Sequence, residues 1–478
     1  MVFSSLTFIF LFLPGTLVLY GVVPKSWRNS VLLIASCFFY SWGAPKFLFV
    51  LLASSGADYF LAQRMAGTDQ RKERKILLAV GLVFNIGLLF YFKYANFFVE
   101  QVNGLLALAG KGSPGWLDIA LPIGISFFTF QKISYLIDVY RNTARPATSF
   151  LSYAMYVSLF PQLIAGPIIR YHDVAKQLVS RNYSIERLHS GICRFSFGLA
   201  KKVLIANGVG KVADAVFAIP GAELSPQVAW LGALCYTIQI YFDFSGYSDM
   251  AIGLGRMFGF DYLENFNQPY RARNFTQFWR RWHISLSNWM REYLYIPLGG
   301  NRKGTFRLYL NLWIVFLLSG FWHGASWNFI VWGAFHGFFL SFDKLKSHWN
   351  TMRLPPFLAQ FTTFVLLMVS WVLFRSENLR DAWFFVQRMF LLTEPLTGVL
   401  PVPMEMIIDS SQVVMLLVGI GISVVPIPSF LKGLTTGETE IQSGIAPLGI
   451  GVASLIVFVI AVSELSIANY NPFIYFRF

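Results

Sequence analysis

The chain has 478 residues, 55% of them hydrophobic and only 13% charged, with a mean hydropathy of +0.55. A globular chain normally carries roughly a quarter charged residues, so this composition excludes a disordered chain, a coiled coil and most cytosolic enzymes. Lys and Arg outnumber Asp and Glu by 38 to 24, a net charge of +14. In a soluble protein that surplus would point to nucleic acid. Here the basic residues fall in short loops between apolar runs, the signature of cytoplasmic loops in a membrane protein, and nucleic acid is not expected as a partner.

The expected fold is therefore all-α: a polytopic integral membrane protein in a lipid bilayer. Its first apolar run, residues 2–23, has no basic residue ahead of it, and Lys25 and Arg28 follow it without an A-x-A cleavage pattern. This reads as a retained span and not a signal peptide, with the N-terminus on the outer side. Residues 30–44 and 46–63, hinged at Gly43-Ala44-Pro45, form a hairpin returning to a basic loop at Arg71–Lys75. Further spans are expected at 76–98, 119–140, 188–219, 228–258, 309–321, 327–342, 357–374, 413–431 and 448–462. Together they imply about ten to twelve crossings. Residues 149–169 are apolar but broken by Pro161, Gly166 and Pro167, with Arg145 and Arg170 on either side. A re-entrant segment satisfies both flanks, provided its irregular backbone is buried in protein or lines a cavity.

Residues 265–304 are too polar to span, yet Phe278, Trp279, Trp282, Trp289, Tyr293 and Tyr295 recur among Arg271, Arg273, Arg280, Arg281 and Arg291. Helical periodicity over residues 276–294 predicts an amphipathic helix lying in the interface or dipping into the membrane. Polar groups at membrane depth are candidate functional sites. Of six histidines, His323 lies between two apolar runs beside Gly324, His283 lies in the aromatic and basic stretch, and His336 follows Trp332 by one helical turn. His172, His189 and His348 lie in or beside basic loops, where solvated side chains are expected. Asp243 and Asp249, inside the run at 228–258, need the protein interior, water or a cationic partner. The structural alternative for Asp243 is an ion pair with an Arg or a helix cap near Gly246. Cys37, Cys193 and Cys235 lack CxxC spacing, so neither a disulfide framework nor a metal site is indicated. Phosphate-loop, nucleophile-elbow and HExxH patterns are missing from the sequence.

Two blocks, RRWHISLSNWMREYLYIPLGGNR and FWHGASWNFIVWGAFHG, resemble the membrane-bound O-acyltransferase family, specifically its bacterial alginate O-acetyltransferase branch. MVFSSLTFIFLFLP, LPIGISFFTFQKISYLIDVYR, FPQLIAGPIIR, YFDFSGYSDMAIGLGRMFGF, ENFNQPY and NPFIYFRF support it across most of the chain, with residues 379–447 least matched. The resemblance implies a single transmembrane domain over 1–478: N-terminal helices at 1–140, a catalytic core at 141–346 and C-terminal helices at 347–478, arranged around a central tunnel. It implies that His323 is the essential active-site histidine and that His283 faces the same tunnel, while His336 gains no firm role. It further implies an inner-membrane enzyme that passes acetyl groups from a cytoplasmic thioester, with acetyl-CoA as donor and no bound cofactor. The product would be an O-acetylated secreted polysaccharide, alginate or cellulose, made with periplasmic acetyltransferase partners. D-alanyl transfer to a cell-envelope polymer, and a non-enzymatic transporter or scaffold, are the alternatives. In the acetyl-transfer reading His323 acts as base and His283 orients the thioester or stabilises charge. Arg280 and Arg281 attract the anionic donor, and Asp243 supports the tunnel wall. Trp282, Trp322, Ser285, Asn288 and His336 complete the expected substrate-binding or tunnel-supporting set.

Overall fold

In the computed structural model, residues 1–112, 115–221, 223–349, 354–392, 402–425, 445–468 and 470–474 are described. They form helices joined by turns and loops, with no strand among them. The helices fall into two compact units, one of residues 1–191 with 254–263, the other of residues 192–253 with 264–478.

The first unit contains α1 (Phe8–Val22), α2 (Arg28–Ser41), α3 (Pro45–Ala66), α4 (Arg71–Leu108), α5 (Ile125–Tyr140), α6 (Phe150–Ser158), α7 (Phe160–Leu163) and α8 (Tyr171–Val179). Arg71–Lys75, expected as a loop, make the first turn of α4. There Arg74 donates to the carbonyls of Val139 and Tyr140 at 3.1 and 2.9 Å. The run at 119–140 becomes helical only at Ile125, because Gly124 takes a left-handed φ of 75°. A Cβ at Gly124 would lie 2.6 Å from the Leu163 carbonyl oxygen, and only glycine accepts both conditions cheaply.

Residues 149–169 are broken as the proline and glycine positions predict: the chain leaves α6 at Leu159 and becomes irregular after α7. Residues 153–169 are buried throughout, and the freed backbone groups find side-chain partners. Phe160 N–H donates to Ser36 Oγ at 3.1 Å, and the Tyr156 hydroxyl donates to the Ile169 carbonyl at 2.8 Å. A fully buried Lys132 faces Asp58 at 3.2 Å, and Asn85 Nδ2 donates to the other Asp58 oxygen at 2.7 Å. His172, expected to be solvated, instead lies 2.9 Å from Asp138; His348 lies outside the described side chains.

The second unit receives most of α9 (Ile185–Ala200) and α11 (Pro226–Met257), with α10 (Asn207–Phe217) between them. There follow α12 (Phe275–Trp279), α13 (Ile284–Met290), α14 (Thr305–His323), α15 (Trp327–Trp349), α16 (Pro356–Arg375), α17 (Leu379–Met389), α18 (Ser410–Val424) and α19 (Ile445–Ile467). The single amphipathic helix expected over 276–294 is instead two short helices and a wide helical turn, interrupted between Arg280 and His283. The part of the expected 413–431 span beyond Val425 lies outside the described residues.

Among the described residues, four helical stretches are long and apolar enough to cross a bilayer: Arg71–Leu108, Thr305–His323, Pro356–Arg375 and Leu448–Ile467. Only 11% of the most apolar window of the last is buried against protein, as expected of a helix that faces lipid tails. The protein is a helical integral membrane protein.

Helices α14 and α15 pack at backbone distance. A Cβ on Gly320 would lie 2.2 Å from the Phe329 carbonyl oxygen and 3.1 Å from the Gly333 Cα. No rotamer change relieves a clash with backbone, so Gly320→Ala must push the helices apart. Overpacking of this kind costs about 1–3 kcal/mol. The purified variant in detergent should melt several degrees below wild type, measured by intrinsic tryptophan fluorescence; an unchanged melting temperature would contradict the close packing.

Candidate active site

Among the described residues three histidines are buried, His283, His323 and His336, and they lie in the second unit on elements whose order in the chain gives no hint of their proximity. His323 ends α14, where an extended Gly324 follows. Its imidazole is packed by the rings of Trp322 at 4.9 Å, Trp332 at 5.1 Å and Phe374 at 5.4 Å. A cavity of about 10 Å³ adjoins it, room for about one water. Ile240 and Phe244 of α11, Trp282, Trp332 of α15, Trp371 and Phe374 of α16, and Ile474 wall that cavity with His323. Every wall residue other than His323 is an aliphatic or aromatic side chain, so a charge forming here is poorly screened by water.

His283 precedes α13 in a left-handed conformation, φ 45° and ψ 54°, which costs a non-glycine residue roughly 1–2 kcal/mol. Asn265 supplies what holds it there. The Asn265 carbonyl accepts from Ile284 N–H at 3.0 Å, and its side-chain Oδ1 accepts from Ser285 N–H at 3.2 Å and Ser285 Oγ–H at 2.9 Å. The same Oδ1 lies 3.1 Å from His283 Nδ1. Because the Ser285 amide can only donate, the atom facing it is the oxygen of the Asn265 amide. His283 therefore carries its proton on Nδ1, and its buried Nε2 presents a lone pair with no hydrogen-bond partner among the described residues. Burial pushes the imidazole down to about 3, so it is neutral at physiological pH. His283 does not itself line the cavity. It stands against Phe244, ring centres 4.7 Å apart, and follows Trp282 in the chain, and both of those residues do line it.

His336 has the opposite tautomer. Trp279 Nε1–H donates to its Nδ1 at 3.2 Å, so the proton is on Nε2, which is buried and unpartnered among the described residues. Its ring lies 4.5 Å from Trp332, one aromatic layer behind His323.

Asp243 pairs with Lys202 at 2.8 Å, both side chains almost wholly buried. Its other oxygen accepts from the Ile474 N–H at 2.8 Å. Asp249, a neighbouring, partly buried acid, is held by Arg194 and Lys201 at 2.6 Å each. Of the arginines, Arg280 is exposed, whereas Arg281 donates to the Asn267 carbonyl at 3.1 Å. Burial and the neighbouring Arg271 lower the pKa of the Arg281 guanidinium. Asn288 is half-buried on α13. The site thus brings together His323, Trp322 and Trp282, with His283, Ser285 and His336 one contact away, while Arg280 lies at the surface. Asn265, Lys202, Trp332 and Ile474 carry this geometry and went unremarked as site residues in the sequence. Asn265 and Ile474 stand within ENFNQPY and NPFIYFRF, which was their only signal. Among the described residues no cluster of three or more His, Cys, Asp or Glu side chains forms a metal site.

Residues 141–374 match the family model described as MBOAT, the membrane-bound O-acyltransferase family. The chain is 41% identical to the probable alginate O-acetylase of Azotobacter vinelandii over the whole of both chains. It is 46% identical to that of Pseudomonas aeruginosa over 82% of this chain and 75% of the relative. It is 40% identical to the peptidoglycan O-acetyltransferase of Helicobacter pylori over 80% of this chain and 78% of the relative.

Replacing His283 separates its backbone from its ring. His283→Ala and His283→Gly both lose the imidazole, but only alanine retains the left-handed penalty. The alanine variant should be the less stable of the two by about 1 kcal/mol, read from melting temperatures in detergent; equal melting would show that the site does not hold the strained conformation.

Proposed function

The chain belongs to the membrane-bound O-acyltransferase family and is an O-acyltransferase, and from that premise we propose that it moves acetyl groups from a cytoplasmic thioester across the inner membrane to O-acetylate a secreted polysaccharide. One observation carries this reading: His323 borders a small apolar cavity in a chain that matches an alginate O-acetylase from end to end. Acetyl-CoA is the donor we favour. The exposed guanidinium of Arg280 supports attraction of its phosphates, and the basic loops support a periplasmic N-terminus. Alginate or cellulose is the proposed polymer, reached directly or through a periplasmic acetyltransferase partner.

His323 takes the proton of the acceptor hydroxyl as that oxygen attacks the thioester carbonyl. The tetrahedral oxyanion then collapses, the carbon–sulfur bond breaks, and the imidazolium returns its proton to the departing thiolate. Trp332 is a wall residue of the cavity, and its buried indole N–H has no acceptor among the described residues, which supports it as a donor to the oxyanion. Of the two roles expected for His283, orienting the donor suits its protonation and stabilising negative charge does not. A lone pair on Nε2 accepts hydrogen bonds, for instance from an amide of the donor's pantetheine arm, and repels an anion. Asp243 acts on the cavity wall through Ile474, at one remove from the reacting atoms.

His323→Ala should lower acetyl ester on the polymer by at least about a hundredfold, with unchanged protein in the membrane fraction; acetylation near the wild-type level would refute the assignment. Trp332→Phe keeps the ring and removes only the N–H. It should reduce kcat by about 10²–10³ with little change in KM, and an unaltered kcat would remove Trp332 from the mechanism.

A further inference from the structure

We propose that Ile474 sets the length of the acyl group this enzyme transfers, an inference that rests on the acyl-transfer reading above. The cavity beside His323 holds about 10 Å³, so a growing acyl chain must displace a wall. Four of its walls are large aromatic side chains on α11, α15 and α16, and a fifth, Trp282, immediately precedes His283 in the chain. Ile474 is the wall residue supplied by the C-terminal segment beyond α19. It is also the wall whose main chain is tied down by charge.

Its N–H donates to Asp243 Oδ2 at 2.8 Å, and Asp243 Oδ1 faces Lys202 Nζ at 2.8 Å. The Lys202 ammonium also donates to the Pro472 carbonyl and, at 2.8 Å, to Asn207 Oδ1. Asn207 Nδ2 donates in turn to the Tyr470 carbonyl at 3.3 Å, and the Tyr470 hydroxyl donates to Asp214 at 2.6 Å. Phe473 stacks on Tyr247 with ring centres 4.5 Å apart. Bonds to the backbone at 470, 472 and 474, with a stacked ring at 473, fix the register of the segment. A slip of one residue would break them all and replace the isoleucine with Phe473 or Tyr475, according to its direction.

A buried ion pair is seldom a net source of stability, and its best-attested use is to specify one arrangement over others. The arrangement specified here delivers one branched side chain to the cavity and prevents it from swinging away. Acetyl has a single methyl beyond its carbonyl carbon, and each added methylene must find room against Ile474. One methylene in a fixed apolar pocket is worth about 10- to 200-fold in selectivity. Ile474→Ala withdraws three carbons from the wall, and Ile474→Val withdraws one.

The test uses membranes carrying the full chain with the cell-envelope acceptor, given equimolar acetyl-CoA and butyryl-CoA. Ester-bound acids are released by mild base and quantified. Wild type should incorporate acetyl almost alone, Ile474→Ala should raise the butyryl-to-acetyl ratio at least tenfold, and Ile474→Val should fall between them. If wild type incorporates neither acid above a His323→Ala control, the functional reading is overturned and the length limit with it. If wild type incorporates acetyl and both variants keep its ratio, the role of Ile474 alone is overturned. Should Ile474→Ala fail to accumulate or to transfer either group, Ile474→Val decides with propionyl-CoA: a raised propionyl-to-acetyl ratio upholds the proposal, and an unchanged ratio overturns it.

Discussion

A carboxylate and an ammonium facing each other at 2.8 Å, almost wholly out of water, organise the second unit. Asp243 comes from the middle of a 32-residue helix and Lys202 from the wide helical turn after α9. Neither charge tolerates this depth alone, and removing one partner of such a pair typically costs about 3–5 kcal/mol. Their remaining hydrogen-bonding capacity goes to the C-terminal segment, which brings Ile474 to the cavity beside His323. Charge pairing, chain register and cavity shape are therefore linked: the geometry around the imidazole depends on an interaction whose members lie 80 and 121 residues before it in the chain.

Long apolar helices were the most legible part of the fold. The runs at 228–258, 309–321 and 357–374 correspond to Pro226–Met257, Thr305–His323 and Pro356–Arg375, because in each the local preference and the need to bury or lipidate the surface agree. Periodicity failed over 276–294, where the aromatic and basic residues do recur at helical spacing. The interruption is imposed by Asn265, some 20 residues earlier, whose backbone and side-chain oxygens accept from Ile284, Ser285 and His283. A tertiary contact of that range overrides a local pattern without leaving any mark on it. Arg71–Lys75 was misread as a loop for a related reason: Arg74 finds its carbonyl partners on α5, nearly 70 residues on.

The site was legible to the extent that polar residues are conspicuous in an apolar chain. His323, His283, His336 and Asp243 stand out by that measure, and all four are buried in the second unit. Their division of labour was not legible. His283 and His336 differ because one faces an oxygen acceptor and the other an indole donor, so one buried imidazole offers a lone pair and the other an N–H. Residue type alone could not distinguish them, and an isoleucine near the C-terminus had no reason to attract notice.

The glycine contact between α14 and α15 bears on how anything reaches His323. With Gly320 seated against the backbone of Phe329 and Gly333, the two helices cannot slide or splay locally without losing contact along their length, so they move as one body. Trp332 belongs to the same body and follows the imidazole wherever it goes. Traffic to the site must then be admitted by the other walls, on α11, α16 and the loop that carries Trp282, while the base and its aromatic neighbour keep their mutual spacing through each turnover.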